Sequence, residues 1–411
     1  MRTRFTWILG VAALISVALL LACSTKYSSS NNGLVVVSTQ GNADMDTFSL
    51  DLGNGHTAQI FNTAGPPTSG QPTAVVLDPA GDYAYVMVYQ SAAVNKGASS
   101  TGIESFQIAS DGKLGSGTTY TLNGDVTPLA MVIDSAGKFL FVADSTPPAV
   151  SVLAVGSGGK LTEVAGSPFP LQELPPPSPT QGATPLPSAL AISPTVYPPA
   201  YAACSGNVPP STENLYVTDS NNYLVLNYLV SSTGVLGPST SGKPTSENAT
   251  GTTPSGVTVD PCNRFVYVSN LYDRTVSAFT ICNSISLPTC PNADFSLLPV
   301  SGPLVGTGST PGPLLMDAYA NFLYVLNTGG NSISAYKVST TTGSLTPLNP
   351  APVTTNSYPT SIAVRSDDSW LFVANLNSAN LSQYAITPST GALIPQAPVQ
   401  TDNFPWGVAV K

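Results

Sequence analysis

Seven times along this chain a proline opens an apolar segment whose third residue is small. The copies are PTAVVLD (72–78), PLAMVID (128–134), PSALAIS (187–193), PSGVTVD (254–260), PGPLLMD (311–317), PTSIAVR (359–365) and PWGVAVK (405–411). Their prolines are 56, 59, 67, 57, 48 and 46 residues apart. Repetition at that period means supersecondary units that bury their faces only by stacking on one another. Four short strands fit each period, so the expected fold is all-β: a seven-bladed β-propeller of four-stranded antiparallel blades. Each proline sets φ and ends the incoming loop, so a strand is expected just after it. The position two residues after proline is Ala, Ala, Ala, Gly, Pro, Ser or Gly. Bulk does not fit where the innermost strands of all blades converge on one axis.

The rest of each period repeats too. FLFVAD (139–144), LYVTD (215–219), FVYVSN (265–270), FLYVLN (322–327) and WLFVAN (370–375) are β-branched and aromatic runs of strand length. A polar loop leads to a third strand, such as TVSAFTI (275–281) or SISAYKV (332–338). A Gly-x-Leu turn follows at 112–114, 159–161, 234–236, 343–345 and 391–393, where glycine supplies the positive φ of a hairpin. The last proline segment reaches Lys411 with no second strand after it, while LVVVST (34–39) reads as a second strand with no first. Together they make one composite blade, with Val408–Val410 expected beside Leu34–Val37. The N- and C-terminal strands thereby close the ring and remove its open edges.

Arg2 and Arg4 followed by an apolar stretch from Ile8 to Leu21 form an export signal over residues 1–22. Leu20-Leu21-Ala22-Cys23 has the form of a lipobox, so Cys23 is the expected lipidation site of a bacterial cell-envelope lipoprotein, periplasmic or on the outer surface. The apolar run is short for a membrane span. Residues 23–33, rich in Ser and Asn, read as a tether, and 34–411 as the propeller. Without the signal's two arginines the chain has 11 basic and 22 acidic residues, net −11. Nucleic acid as a partner is therefore excluded. A monomer is expected, with the membrane reached through the lipid.

Four cysteines remain after Cys23. An even number in an exported chain favours disulfides. Cys204 and Cys262 each follow the first strand of a blade, in adjacent blades, and Cys282 and Cys290 bracket one loop, so those are the expected pairs. No His or second cysteine pair accompanies them, and neither a zinc site nor a dense Asp-rich calcium loop is expected. No cofactor is expected either. Insertions fall at Pro175–Pro187, Pro194–Glu213 and Asn283–Ala293.

The runs YVSN-LYDRTVSAF and YVLN-TGGNSISAY resemble the YVTN repeat of surface propellers. The blade pattern with its Gly-x-Leu turn is similar to the seven-bladed lactonase family, which includes 6-phosphogluconolactonases. The resemblance covers about residues 34–411, and its matching residues are structural. Asp144, Asp219, Asn270, Asn327 and Asn375 end their strands where a side chain can hold turn backbone. Membership would imply lactone hydrolysis, which needs a base for water and donors for the oxyanion. A phosphorylated sugar needs basic residues as well. The loops between second and third strands and between blades share one face, the usual pocket face of such propellers. It carries Lys96 and Arg274 as cations and Asp44, Asp46, Glu104, Asp125 and Asp273 as acids, whereas the sole histidine, His56, falls on the opposite face. The candidate catalytic residues are Glu104 or Asp273 as base and Arg274 as oxyanion donor. The simpler reading of Asp273-Arg274 is a turn with an exposed ion pair. No phosphate-cradling loop, nucleophile elbow or zinc helix occurs. The expected function is a binding platform for a glycan, peptide or protein, and the alternative is a sugar-lactone hydrolase.

Overall fold

The computed structural model describes residues 32–51, 57–59, 65–90, 100–123, 127–172, 183–195, 204, 212–237, 244–283, 294–349 and 351–411. The export signal, Cys23, most of the tether, His56, Lys96, Asp125 and Cys290 lie outside them. The described residues form seven antiparallel sheets in a ring, with the strands of six sheets in chain order from axis to rim and the seventh led by the C-terminal strand. Blade four shows the plan: Pro254–Val259 innermost, then Phe265–Asn270, Thr275–Ile281 and Leu297–Pro299. The composite blade is present, with Pro405–Val410 pairing Asn32–Thr39 through Val35↔Val410, Val36↔Ala409 and Val37↔Val408.

Two local expectations change. The strand begins at the proline in six blades and at Gln71 in blade one, because a first-position proline needs no N–H to join the ladder. A register shift then follows in every blade, as between Pro254 and Gly256. The small residue sits at this bulge, where a Cβ on Gly256 would lie 2.5 Å from the carbonyl oxygen of Gly312 in the next blade. The outer strand is also split in blades two, four, five and six. In blade four both Leu297–Pro299 and Val305–Gly306 pair with the third strand, and the chain bows outward between them.

Each blade interlocks with the next through the aromatic run and the Gly-x-Leu turn. Gly343 of blade five has φ of 73°, and a Cβ there would meet the Phe265 ring of blade four. Tyr267, two residues on, donates its hydroxyl to the Gly343 carbonyl at 2.9 Å. Tyr324 and Gly391 repeat the bond one blade later, also at 2.9 Å. Buried Phe and Tyr rings thus supply apolar area and one directional bond at the same joint. On the same face a disulfide joins Cys204 to Cys262, Cα atoms 5.2 Å apart, linking blades three and four. Cys282 is also disulfide-bonded, and its expected partner Cys290 is outside the described residues.

Candidate functional site

The face that receives the inter-blade loops has a common device. An Asn or Asp at the end of the second strand and a Ser two residues into the third strand together hold backbone from the incoming loop. In blade four the Asn270 amide oxygen accepts the Gly251 N–H at 3.1 Å, and its nitrogen donates to Ser277 at 2.9 Å. Blade five repeats this with Asn327, Gly308 and Ser334 at 3.1 and 3.0 Å. Blade three uses Asp219, which accepts the Leu186 N–H at 2.9 Å and the Asn221 N–H of its own turn at 3.1 Å. These residues do hold backbone, but mainly that of the arriving loop.

Glu104, a candidate base, occupies the Ser277 position of blade one, as its pairing with Val86 and Thr119 shows. Val88 stands where other blades have Asn, so the carboxylate alone accepts the Ser69 N–H at 2.8 Å and the Thr119 hydroxyl at 3.2 Å. Asp46 takes the same place in blade seven and accepts the Asp402 N–H at 2.8 Å. Asp44, beside it, bonds the Thr39 hydroxyl, and burial pushes its carboxyl up. Asp273 lies in the turn after Asn270, where its carboxylate accepts the Thr252 N–H at 2.6 Å. It makes no salt bridge to Arg274 among the described residues, so the expected ion pair gives way to a clamp on the neighbouring loop. Arg274 is exposed, and its backbone has φ of 54°. Glu104 and Asp273 sit in non-adjoining blades, each bound within its own blade.

The ring encloses a central channel of about 540 Å³, lined by the innermost strands of all seven blades. Each innermost strand is the last of its sheet, so one row of its backbone polar groups faces the channel. At the mouth Ser188 donates to the Pro254 carbonyl and Ser255 to the Pro311 carbonyl, both at 2.7 Å, and Thr360 donates to the Trp406 carbonyl at 2.8 Å. These hydroxyls belt one blade to the next.

Sequence reasoning missed the apolar side chains around that mouth. Leu129 and Trp406 line it. Tyr358 and Phe404 stand immediately before their prolines, 45% and 51% exposed, and Tyr272 on the same face is 72% exposed. Six of the eight exposed large apolar side chains among the described residues lie on this face. Tyr358 and Phe404 have φ of 58° and 59°, as Thr253 and Thr310 have 55° and 53° before their own prolines. A residue before proline prefers extended backbone, and a non-glycine left-handed conformation costs about 1–2 kcal/mol. The signal was available: the repeat prolines are flanked by NSYPT and NFPWG in blades six and seven, against GTTPS in blade four.

Electrostatically the face is short of cations. Arg274 is the only described Lys or Arg upon it, while the turns of the opposite face carry Lys113, Lys138, Lys160 and Arg264. The acids Asp44, Asp46, Glu104, Asp144 and Asp219 are all buried. Burial pushes the Asp144 carboxyl up to about 7, against a Ser151 hydroxyl bond at 2.7 Å that opposes the rise.

Fold and face define a class, the seven-bladed β-propeller with its inter-blade loops at one end of a central channel. Residues 305–405 match the family model described as Lactonase, 7-bladed beta-propeller. No curated protein matches the sequence. Among solved structures, a Lactobacillus plantarum protein is similar over 92% of this chain and 99% of its own, at 16% identity and a TM-score of 0.70. A putative 6-phosphogluconolactonase of Bacteroides fragilis is similar over 93% and 99%, at 15% and 0.67. A periplasmic gluconolactonase of Pseudomonas aeruginosa is similar over 92% and 99%, at 18% and 0.66. At such identities the likeness is one of fold.

Proposed function

We propose that this protein is an exported, lipid-anchored propeller that binds a ligand at its channel mouth without hydrolysing it. The observation that carries this reading is the employment of the nominated carboxylates. Glu104 is buried and Asp273 lies three blades away, each holding a backbone N–H of its own blade, so the two do not meet on one substrate water. Arg274 stands three blades from Glu104 and makes no ion pair with Asp273, so no base and oxyanion donor converge. Export accords with the signal-like segment and with the Cys204–Cys262 bridge. Replacing Cys23 by Ala should move the protein from the membrane to the soluble fraction of fractionated cells.

The second reading is sugar-lactone hydrolysis, favoured by the names of the Bacteroides and Pseudomonas structures. The two separate in one assay. The full chain is incubated with gluconolactone and with 6-phosphogluconolactone, and acid release is compared with the spontaneous rate. No acceleration is expected. Acceleration of either lactone overturns the binding-only reading, and its loss in Asp273→Ala or Glu104→Gln would name the base.

A further inference from the structure

We propose that the channel mouth takes neutral pyranose rings, stacked on an aromatic arc of blades six and seven and hydrogen-bonded by the opposing blades. This rests on the mouth being a ligand site and names the ligand class. Three features converge. The first is aromatic: Trp406 of blade seven and Leu129 of blade two line the opening, and Tyr358 and Phe404, immediately before the innermost strands of blades six and seven, are exposed on the same face. Exposed aromatic faces carry negative π density that attracts the polarised C–H groups on the flat side of a sugar ring. Burial of such rings in a neighbouring blade, as at Phe265 and Tyr267, would have been the ordinary outcome, yet Tyr358 and Phe404 stand about half exposed.

The second feature is the opposite side. Blades three and four present Ser188 and Ser255 at the mouth in place of aromatics, beside the unpaired edges of the innermost strands. The two hydroxyl protons are taken by the Pro254 and Pro311 carbonyls, so the serines offer lone pairs to sugar hydroxyls, and the strand edges offer N–H and C=O groups. The third is charge. Arg274 is the one described cation on this face, so an anionic sugar finds no bidentate partner. Asp44, Asp46, Glu104, Asp144 and Asp219 are buried, which leaves Asp273 as the exposed carboxylate among the named acids for an ammonium ligand. A channel of about 540 Å³ lies within the roughly 300–1,000 Å³ of ordinary small-ligand sites.

The test uses the full chain in a non-sugar detergent, titrated calorimetrically with neutral tetrasaccharides of gluco, galacto, manno and N-acetylglucosamine configuration. Gluconate and 6-phosphogluconate serve as anionic counterparts. At least one neutral tetrasaccharide should bind with submillimolar Kd, and the two anions at least tenfold more weakly. W406A and the exposed-site variants Y358A and F404A should each weaken the neutral ligand at least fivefold, with melting temperature unchanged in at least the latter two. Tighter binding of either anion, or no binding by any neutral member, overturns the ligand class. So does saccharide binding indifferent to all three variants. Lactone turnover in the preceding assay would instead overturn the binding-only reading, so the two failures are distinguishable.

Discussion

Blades four and five and the seam of blades seven and one solve the same problem with different residues. In every case an N–H arrives from the loop that precedes the innermost strand and is met by a buried side chain. Blades four and five use an amide that accepts that N–H and donates to a serine, so both halves of the side chain are employed without charge. The seam uses Glu104 and Asp46, acceptors only, set in the third strand because Val88 and Thr39 occupy the amide's place. Blade two is intermediate: Asp144 keeps the amide's position and its serine but brings a carboxyl into a fully buried site. The lesson concerns function as much as stability. Buried acids on the loop-bearing face invite a catalytic reading, and alignment of the blades shows them doing the work of an asparagine. Residues 305–405, which carry the family match, fall on the arc of regular blades.

The severest way to break this comparison is to open the seam. Deleting residues 406–411 removes the innermost strand of blade seven and exposes Val35, Val36 and Val37, all fully buried. Loss of a cooperative melting transition, or a Tm lower by 15 °C or more, is expected by calorimetry. The single-residue counterpart comes next. Asn327→Ala and Glu104→Ala each remove the partner of a partly buried loop N–H, and each should cost about 1 kcal/mol in denaturant unfolding. Equal losses would establish that the amide and the carboxylate are equivalent latches.

Asp144→Asn installs in blade two the residue found in blades four, five and six. A folded-state pKa near 7 lies above the ordinary carboxyl value near 4, so the native state holds the extra proton. Stability from this group is therefore complete below about pH 4 and declines as pH rises to 7. The variant should match the parent near pH 4 and exceed it by on the order of 2 kcal/mol at pH 8. A difference independent of pH would show that the site is not dry. The smallest effect is expected from Val88→Asn combined with Glu104→Ser, which carries the regular latch into blade one. Its stability should stay within about 1 kcal/mol of the parent, and it should retain saccharide binding.

Much of this architecture was legible because it depends on local rules. Proline at fixed spacing, a small residue two positions on and an aromatic run ending in Asn or Asp are enough to count blades. The unmatched strands at 34–39 and 405–411 were enough to place the closure. Cys204 and Cys262 could be paired because equivalent turns of neighbouring blades must adjoin. The split outer strands were not legible, since leaving and rejoining a third strand needs no distinctive residue at Val300–Leu304. The latches were only half legible: Asn270 was recognisable as a holder of backbone, whereas Glu104 looked like a free acid. Its sequence neighbours do not reveal that Ser69, 35 residues earlier, delivers an N–H to it.

By itself, then, the sequence determined strand periodicity, blade number, ring closure and the scarcity of charge, all of which follow from side-chain alternation, backbone limits at Pro and Gly, and composition. Tertiary structure decided which polar groups were consumed in holding loops and which apolar groups were left over. Phe265 and Tyr267 are buried because Gly343 of the next blade opens space for one and offers a carbonyl to the other. Tyr358 and Phe404 are left about half exposed on the face of the inter-blade loops. The physical reason is that burial and hydrogen-bond satisfaction are properties of the space between blades, filled by residues far apart in the chain, such as Tyr267 with Gly343 and Lys411 with Gly81. No window of sequence contains both sides of that space.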